Sequence, residues 1–197
     1  MDLIQQAKIF HQLVCMPCKS AHLATMRITK ETGSFLSYDP NLRLPLWQSA
    51  NAAREGILSI WDIANLIKVS EDEIEFLTEG ADPYDETVVR KLFHPNHKLL
   101  LVTEGQQGYR YYTKDFSRRV GGLTVEAIDT TGAGDAFVSG VLTQLATDFT
   151  LLQDEKGLRE ALMFANACGA IAVTLRRAIP ALPTREAVLA SLTKVIA

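Results

Sequence analysis

A chain of 197 residues, 47% hydrophobic and 22% charged, suits one large domain over 1–197 with a substantial core. Its net charge of -3 gives no electrostatic ground for a nucleic-acid or acidic-membrane partner, and no stretch approaches the ~20 consecutive apolar residues that span a bilayer. Three cysteines, an odd number, and a start "MDLIQQAKIF" with an early acid and no long apolar run argue for a reducing, cytoplasmic setting.

In chain order, "CKSAHLATMRITKETG" has helical apolar spacing and closes at Gly33, a plausible C′ residue. "SFLSYD" (34–39) reads as a buried strand. Ser49 is placed to cap a helix in "SANAAREGILSIWDIA". "ANLIKVS" (64–70) is a second strand, and "SEDEIEFLTEG" opens a helix with Ser70 and Glu73 at capping-box spacing. "KLLLVTEG" (98–105) is a third strand. "GYRYYTKDFSRRV" alternates as an antiparallel or edge strand would, before a break at Gly121-Gly122. Beyond Thr131 the pattern is helical over 132–147, 156–175 and 184–196, with Pro180 and Pro183 between the last two. This alternation predicts an α/β fold, a mostly parallel sheet with helices on both faces.

Such sheets bind ligands outside the carboxyl ends of their strands. The residues expected there are Asp39-Pro40-Asn41, Ser70 with Glu73, Thr103-Glu104-Gly105, and Asp129 with Thr130. Core packing would have chosen apolar side chains, so Asp39, Ser70, Thr103 and Asp129 are expected along one edge of one sheet.

"IDTTGAGDAFVSG" (128–140) concentrates the chemistry. It reads as a strand end, paired threonines, a glycine turn and an acid at a helix start. Gly132 and Gly134 permit a tight turn whose N–H groups point outward, and the helix dipole adds positive potential there. An anion is the natural occupant. Asp135 beside it is a poor phosphate ligand but a good proton acceptor for an attacking hydroxyl. The plainer alternative is a helix with an acid in its first turn.

The stretch "DTTGAGDAFVSG" resembles the second signature of the ribokinase-like (phosphofructokinase-B type) sugar kinases. "SYDPNLRLPLW", "IKVSEDEIEFLTEG", "LLLVTEGQQG" and "FANACGAIAVT" are similar to plant fructokinases, in the same order and over nearly the whole chain. The resemblance implies a ribokinase-like fold and ATP-dependent phosphorylation of fructose to fructose 6-phosphate. It makes Asp135 the catalytic base and Gly132, Ala133 and Gly134 the anion hole. It makes Asp129 and Thr131 ligands of an activating monovalent cation, K⁺, with further carbonyl ligands near Val173 and Ala178. Glu73 would hold the hydration shell of Mg²⁺. Thr103, Gly105, Gly108 and Asn166 would contact ATP, and Asn41 and Arg43 would lie near the sugar and the transferred phosphate. Ser70 stands where the family often has Asn.

Each assignment has a plainer counterpart. Arg43 can snorkel over Trp47, Glu73 can serve only as a helix cap, and Gly105 can supply only a positive φ. Asn166 can simply face water. Cys15-Met16-Pro17-Cys18 has redox-motif spacing, but no second such pair or histidine cluster follows, and Cys18 fits an ordinary family position. His11, His22, His94 and His97 form no metal or triad pattern, and Lys114, Arg118 and Arg119 read as a solvated strand face.

Relative to that family, the Gly-Gly motif, the main sugar-contacting residues and the β-sheet lid do not precede Met1. "IFHQLVCMPCKSAH" is shortened or rewritten. The expectation is therefore a truncated fold holding most of the ATP half, with a low rate of its own. The alternative function is a catalytically silent module that binds nucleotide weakly or engages a partner. Exposed sheet edge and apolar surface leave a homodimer open.

Overall fold

The structure, a computed structural model, describes residues 6–12 and 19–196. The Cys15–Cys18 motif and the stretch that follows Gln12 lie outside the described residues. Tertiary contacts group the chain into two compact units, Met1–Glu104 with Arg110–Arg118, and Gly105–Tyr109 with Arg119–Ala197.

Six strands form one sheet in sequence order: β1 (Ile9–Gln12), β2 (Phe35–Tyr38), β3 (Leu66–Ser70), β4 (Leu99–Thr103), β5 (Tyr109–Tyr112) and β6 (Ser117–Val120). β1 to β4 are parallel, and in the β3–β4 register Ser70 faces Thr103. Parallel neighbours need crossovers, and helices supply them. α1 (Lys19–Glu31) joins β1 to β2, and α2 (Ala50–Leu58) joins β2 to β3. α3 (Glu71–Leu77) and α4 (Glu86–Lys91) join β3 to β4. Successive residues of a strand point to opposite faces, yet Leu99, Leu100, Leu101 and Val102 all have 0% exposure. Both faces of that strand are therefore covered, as expected from its unbroken apolar run.

Local signals account for the helix ends. The Gly33 N–H reaches the Lys30 carbonyl (3.3 Å) and the Ser34 N–H reaches that of Thr29 (3.1 Å), with Gly33 at φ 72°. That is a Schellman ending, and the left-handed residue in it is the expected glycine. The Ser49 hydroxyl accepts the Ala52 N–H at 3.1 Å. The first core gathers Met26, Leu36, Tyr38, Ile57, Trp61, Ile67, Val69, Ile74, Leu100 and Val102.

Several elements differ from the sequence expectation, the short α4 among them, for which the sequence offered no reading. β1, only four residues and half polar, gave no readable pattern. "GYRYYTKDFSRRV" is two strands rather than one, because the Thr113 N–H bonds the Phe116 carbonyl (2.9 Å) in a tight turn between neighbouring strands, which must then be antiparallel. No strand leads into Asp129. Residues 121–127 lack strand structure, and the Ile128 and Asp129 N–H groups instead both bond the Val173 carbonyl, at 2.7 and 3.1 Å. The shared edge expected for these residues holds for Asp39, Ser70 and Thr103, each at the end of a parallel strand. Asp129 is held by the C-terminus of a helix, not by a sheet.

In the second unit the helices are α5 (Ala133–Thr147), α6 (Glu155–Ala172) and α7 (Arg185–Ile196). α5 and α6 cross at Gly140, where a Cβ would stand 2.7 Å from the Ala165 Cα. That approach requires glycine. Ala136, Phe164, Ala167, Cys168, Ala172 and Val188 form the core around the crossing.

Candidate functional site

At the carboxyl edge of β2–β4, Asp39 follows β2 and is buried. One carboxylate oxygen accepts the Asn41 N–H at 3.0 Å, and the other lies 3.3 Å from Lys68 Nζ. Asn41 has φ 43°, a left-handed conformation that asparagine tolerates better than most residues. Burial pushes the Asp39 carboxyl up to about 6, against the pull of Lys68, with Glu73 adding to the rise. The Tyr38 hydroxyl is buried with no hydrogen-bond partner among the described residues, and burial, then Glu73 and Asp39, push its ionisation upward.

Glu73 performs two tasks. One oxygen accepts the Ser70 N–H at 2.9 Å while the Ser70 hydroxyl accepts the Glu73 N–H at 3.2 Å, completing the capping box. The other oxygen accepts the Leu42 N–H at 2.7 Å, tying the loop after β2 to the start of α3. Both oxygens being engaged, and the residue buried, Glu73 suits an Mg²⁺ held through water rather than direct ligation. Arg43 is exposed and donates to the Leu42 carbonyl at 3.1 Å, while the Trp47 ring lies where a Cβ on Gly56 would be. Thr103 ends β4 and donates to the Val69 carbonyl at 3.3 Å. Glu104, next in line, is buried in an ion pair with Arg110, which also bonds the Pro83 carbonyl and the Tyr112 hydroxyl. Its place at the strand end is structural.

In the second unit Gly132 is the N-cap of α5 at φ 83°, and its carbonyl accepts the Ala136 N–H at 2.8 Å. Ala133 turns its N–H back to the Thr130 carbonyl at 3.2 Å. Asp135 is exposed in the first turn of α5. The Asp129 oxygens accept the Thr131 N–H (3.0 Å) and the Arg177 N–H (3.2 Å), and hydrogen bonding from the Thr131 side chain, then from these two amides, holds its carboxyl below the usual range. An ionised, half-buried carboxylate fits a monovalent cation. The Val173 carbonyl fits less well, since its two lone pairs already accept Ile128 and Asp129. Among the described residues no group of three or more His, Cys, Asp or Glu could hold a metal by itself.

Three residues expected at the nucleotide gather around a feature that the sequence marked only as a break. Gly108, at φ 101°, lies so close to 120–122 that a Cβ would stand 2.1 Å from the Val120 carbonyl oxygen. A Cβ on Gly122 would stand 2.3 Å from the Gln106 carbonyl oxygen, and Asn166 Nδ2 donates to the Gly121 carbonyl at 3.4 Å. Gly105 begins the same turn at φ 52°. Lys68 and Gly121-Gly122 are the site residues that sequence reasoning passed over. A lysine inside an apolar strand was the available signal for the first.

The family profile of pfkB family carbohydrate kinases matches residues 1–185. The chain is 67% identical over 199 residues to a probable chloroplastic fructokinase-6 of Arabidopsis thaliana, covering 99% of this chain and 52% of that protein. It is 56% identical over 188 residues to fructokinase-2 of Oryza sativa subsp. japonica, covering 93% and 56%. The fructokinase of Xylella fastidiosa with bound ATP superposes with a TM-score of 0.85 at 28% identity, covering 100% of this chain and 64% of that one. A double mutant of the Vibrio cholerae fructokinase, bound to fructose, ADP and a potassium ion, gives 0.82 at 32% identity, covering 93% and 60%. The chain spans about half the length of the curated relatives it matches.

Proposed function

This chain belongs to the pfkB family of carbohydrate kinases, and on that premise we propose that it serves ATP-dependent phosphorylation of a sugar hydroxyl, fructose to fructose 6-phosphate. The observation that carries the proposal is the left-handed Gly132 at the start of α5 with Asp135 exposed in the first turn. Asp135 takes the proton of the attacking hydroxyl. Amides of the Gly132–Gly134 turn, with the helix dipole, face the charge that spreads over the transferred phosphoryl group. Since Ala133 donates to Thr130, the turn works through its remaining N–H groups.

ATP lies on Gly105, Gly108, Gly121-Gly122 and Asn166, with Thr103 at the end of β4. Asn41 and Arg43 serve the sugar and the transferred phosphate. Glu73 orders the water shell of Mg²⁺, which neutralises phosphate charge when bound, and Asp129 and Thr131 hold K⁺. Fructose is favoured as substrate because the most similar relatives named above are fructokinases and one neighbour was solved with fructose, ADP and potassium. The test is fructose-dependent ADP formation in the presence of Mg²⁺ and K⁺. Sensitivity to Asp135→Asn and to replacement of K⁺ by a large organic cation is the expected result, and ADP formation indifferent to fructose would refute the proposal.

A further inference from the structure

β3 reads Leu66-Ile67-Lys68-Val69-Ser70, and its three aliphatic residues have 0% exposure. Lys68 is itself only 8% exposed. A buried ammonium is costly to desolvate, so packing alone does not explain a lysine there. Its Nζ lies 3.3 Å from Asp39, which is at the mouth of the neighbouring strand.

We propose that Lys68 is a positioning residue for the loop Asp39–Arg43, holding the Asp39 carboxylate so that Asn41 and Arg43 are presented at the carboxyl edge of the sheet. What that loop serves rests on the kinase reading above. Two successive loop amides are tethered to carboxylates, Asn41 to Asp39 (3.0 Å) and Leu42 to Glu73 (2.7 Å). The first tether holds Asn41 in its left-handed conformation at φ 43°. A carboxylate is a stronger acceptor than the neutral acid, so the tether depends on Asp39 being ionised. The groups that face Asp39 are Tyr38 from β2, Glu73 from α3 and Lys68 from β3. Burial and Glu73 both favour the neutral acid, and Lys68 is the cation that opposes them. Removing its charge releases Asn41 at neutral pH while the Glu73 tether stays.

The test follows the Asn41 amide and the Asp39 carboxyl carbon by NMR in the whole chain, titrated without nucleotide or sugar. In the unsubstituted protein the two signals should share one midpoint, at about 6. Lys68→Met should raise that midpoint by about one to three pH units, the usual effect of losing an opposite charge at this distance. Lys68→Arg should keep it near the original value, which a purely space-filling role for Lys68 does not require. An unchanged midpoint in Lys68→Met would overturn the proposal. Should that variant fail to fold, separate midpoints for the two signals in the unsubstituted protein would overturn it equally. Addition of MgATP and fructose afterwards addresses the kinase reading separately: a normal titration with no movement of the Asn41 and Arg43 amides counts against that reading and leaves the role of Lys68 intact.

Discussion

Gly132 and Ala178 meet so closely that a Cβ built on Gly132 would lie 2.7 Å from the Ala178 Cβ. Gly132 also has φ 83°, so two independent constraints demand glycine where α5 begins. Gly132→Ala should therefore destabilise the protein by about 1–3 kcal/mol from left-handed strain and the forced contact. Urea unfolding measures this. The same variant should weaken MgATP binding at least as much as Asp135→Asn does, because it moves the amides and not merely a side chain.

Asp39 makes a prediction of definite sign. Its folded-state carboxyl is raised to about 6, above the ordinary carboxylate range, so the folded protein holds this proton more tightly than the unfolded chain. Its contribution to stability is complete at low pH, below that ordinary range, and is lost as pH rises through about 6. Asp39→Asn should flatten the stability curve in that window, as read from urea midpoints across pH.

His97 should act in the opposite direction. Its Nδ1 accepts the His94 N–H at 3.0 Å, so the neutral ring must carry its proton on Nε2, which bonds the Trp61 carbonyl at 2.9 Å. Burial lowers its ionisation below the ordinary histidine range. The stability it contributes is present above that range and is lost as pH falls through it. The Nδ1 signal in a histidine-resolved NMR titration should stay that of the unprotonated nitrogen at pH values where an exposed histidine is half charged.

Glu73 and Ser70 can be separated. Ser70→Ala removes one side of the capping box and should cost about 1 kcal/mol, with the Leu42 tether intact. Glu73→Ala removes the reciprocal bond and the 2.7 Å tether together, and should cost about 1–3 kcal/mol more than Ser70→Ala. Loss of order in the Leu42 amide should accompany Glu73→Ala alone.

The parts of this fold legible in the sequence are those fixed by neighbours along the chain. The Ser49 cap, the Ser70–Glu73 box and the Gly33 ending each follow from residues within five positions of one another. The buried strands β3 and β4 were legible because both faces are covered and the apolar run is unbroken. What escaped depends on partners far away in sequence. The lead-in to Asp129 has the composition of a strand, but its amides go to Val173 rather than to a neighbouring strand. The closeness of Gly108 to Gly121-Gly122 and the pairing of Lys68 with Asp39 are products of tertiary placement. In the candidate site, Asp135 was legible from its glycines and helix start, whereas the double duty of Glu73 was only half legible. The capping spacing was visible, and the bond to Leu42, 31 residues away, was not.

The central claim is that the Gly132 turn is where phosphoryl transfer occurs and that Asp135 is its base. The direct measurement is the initial rate of fructose-dependent ADP formation by this chain and by Asp135→Asn, with MgATP affinity measured on both. The account predicts a low but fructose-dependent rate that falls by about 10²–10⁴-fold in Asp135→Asn, with MgATP affinity changed less than about twofold. Equal rates for the two proteins, or no rate that depends on fructose, would contradict it.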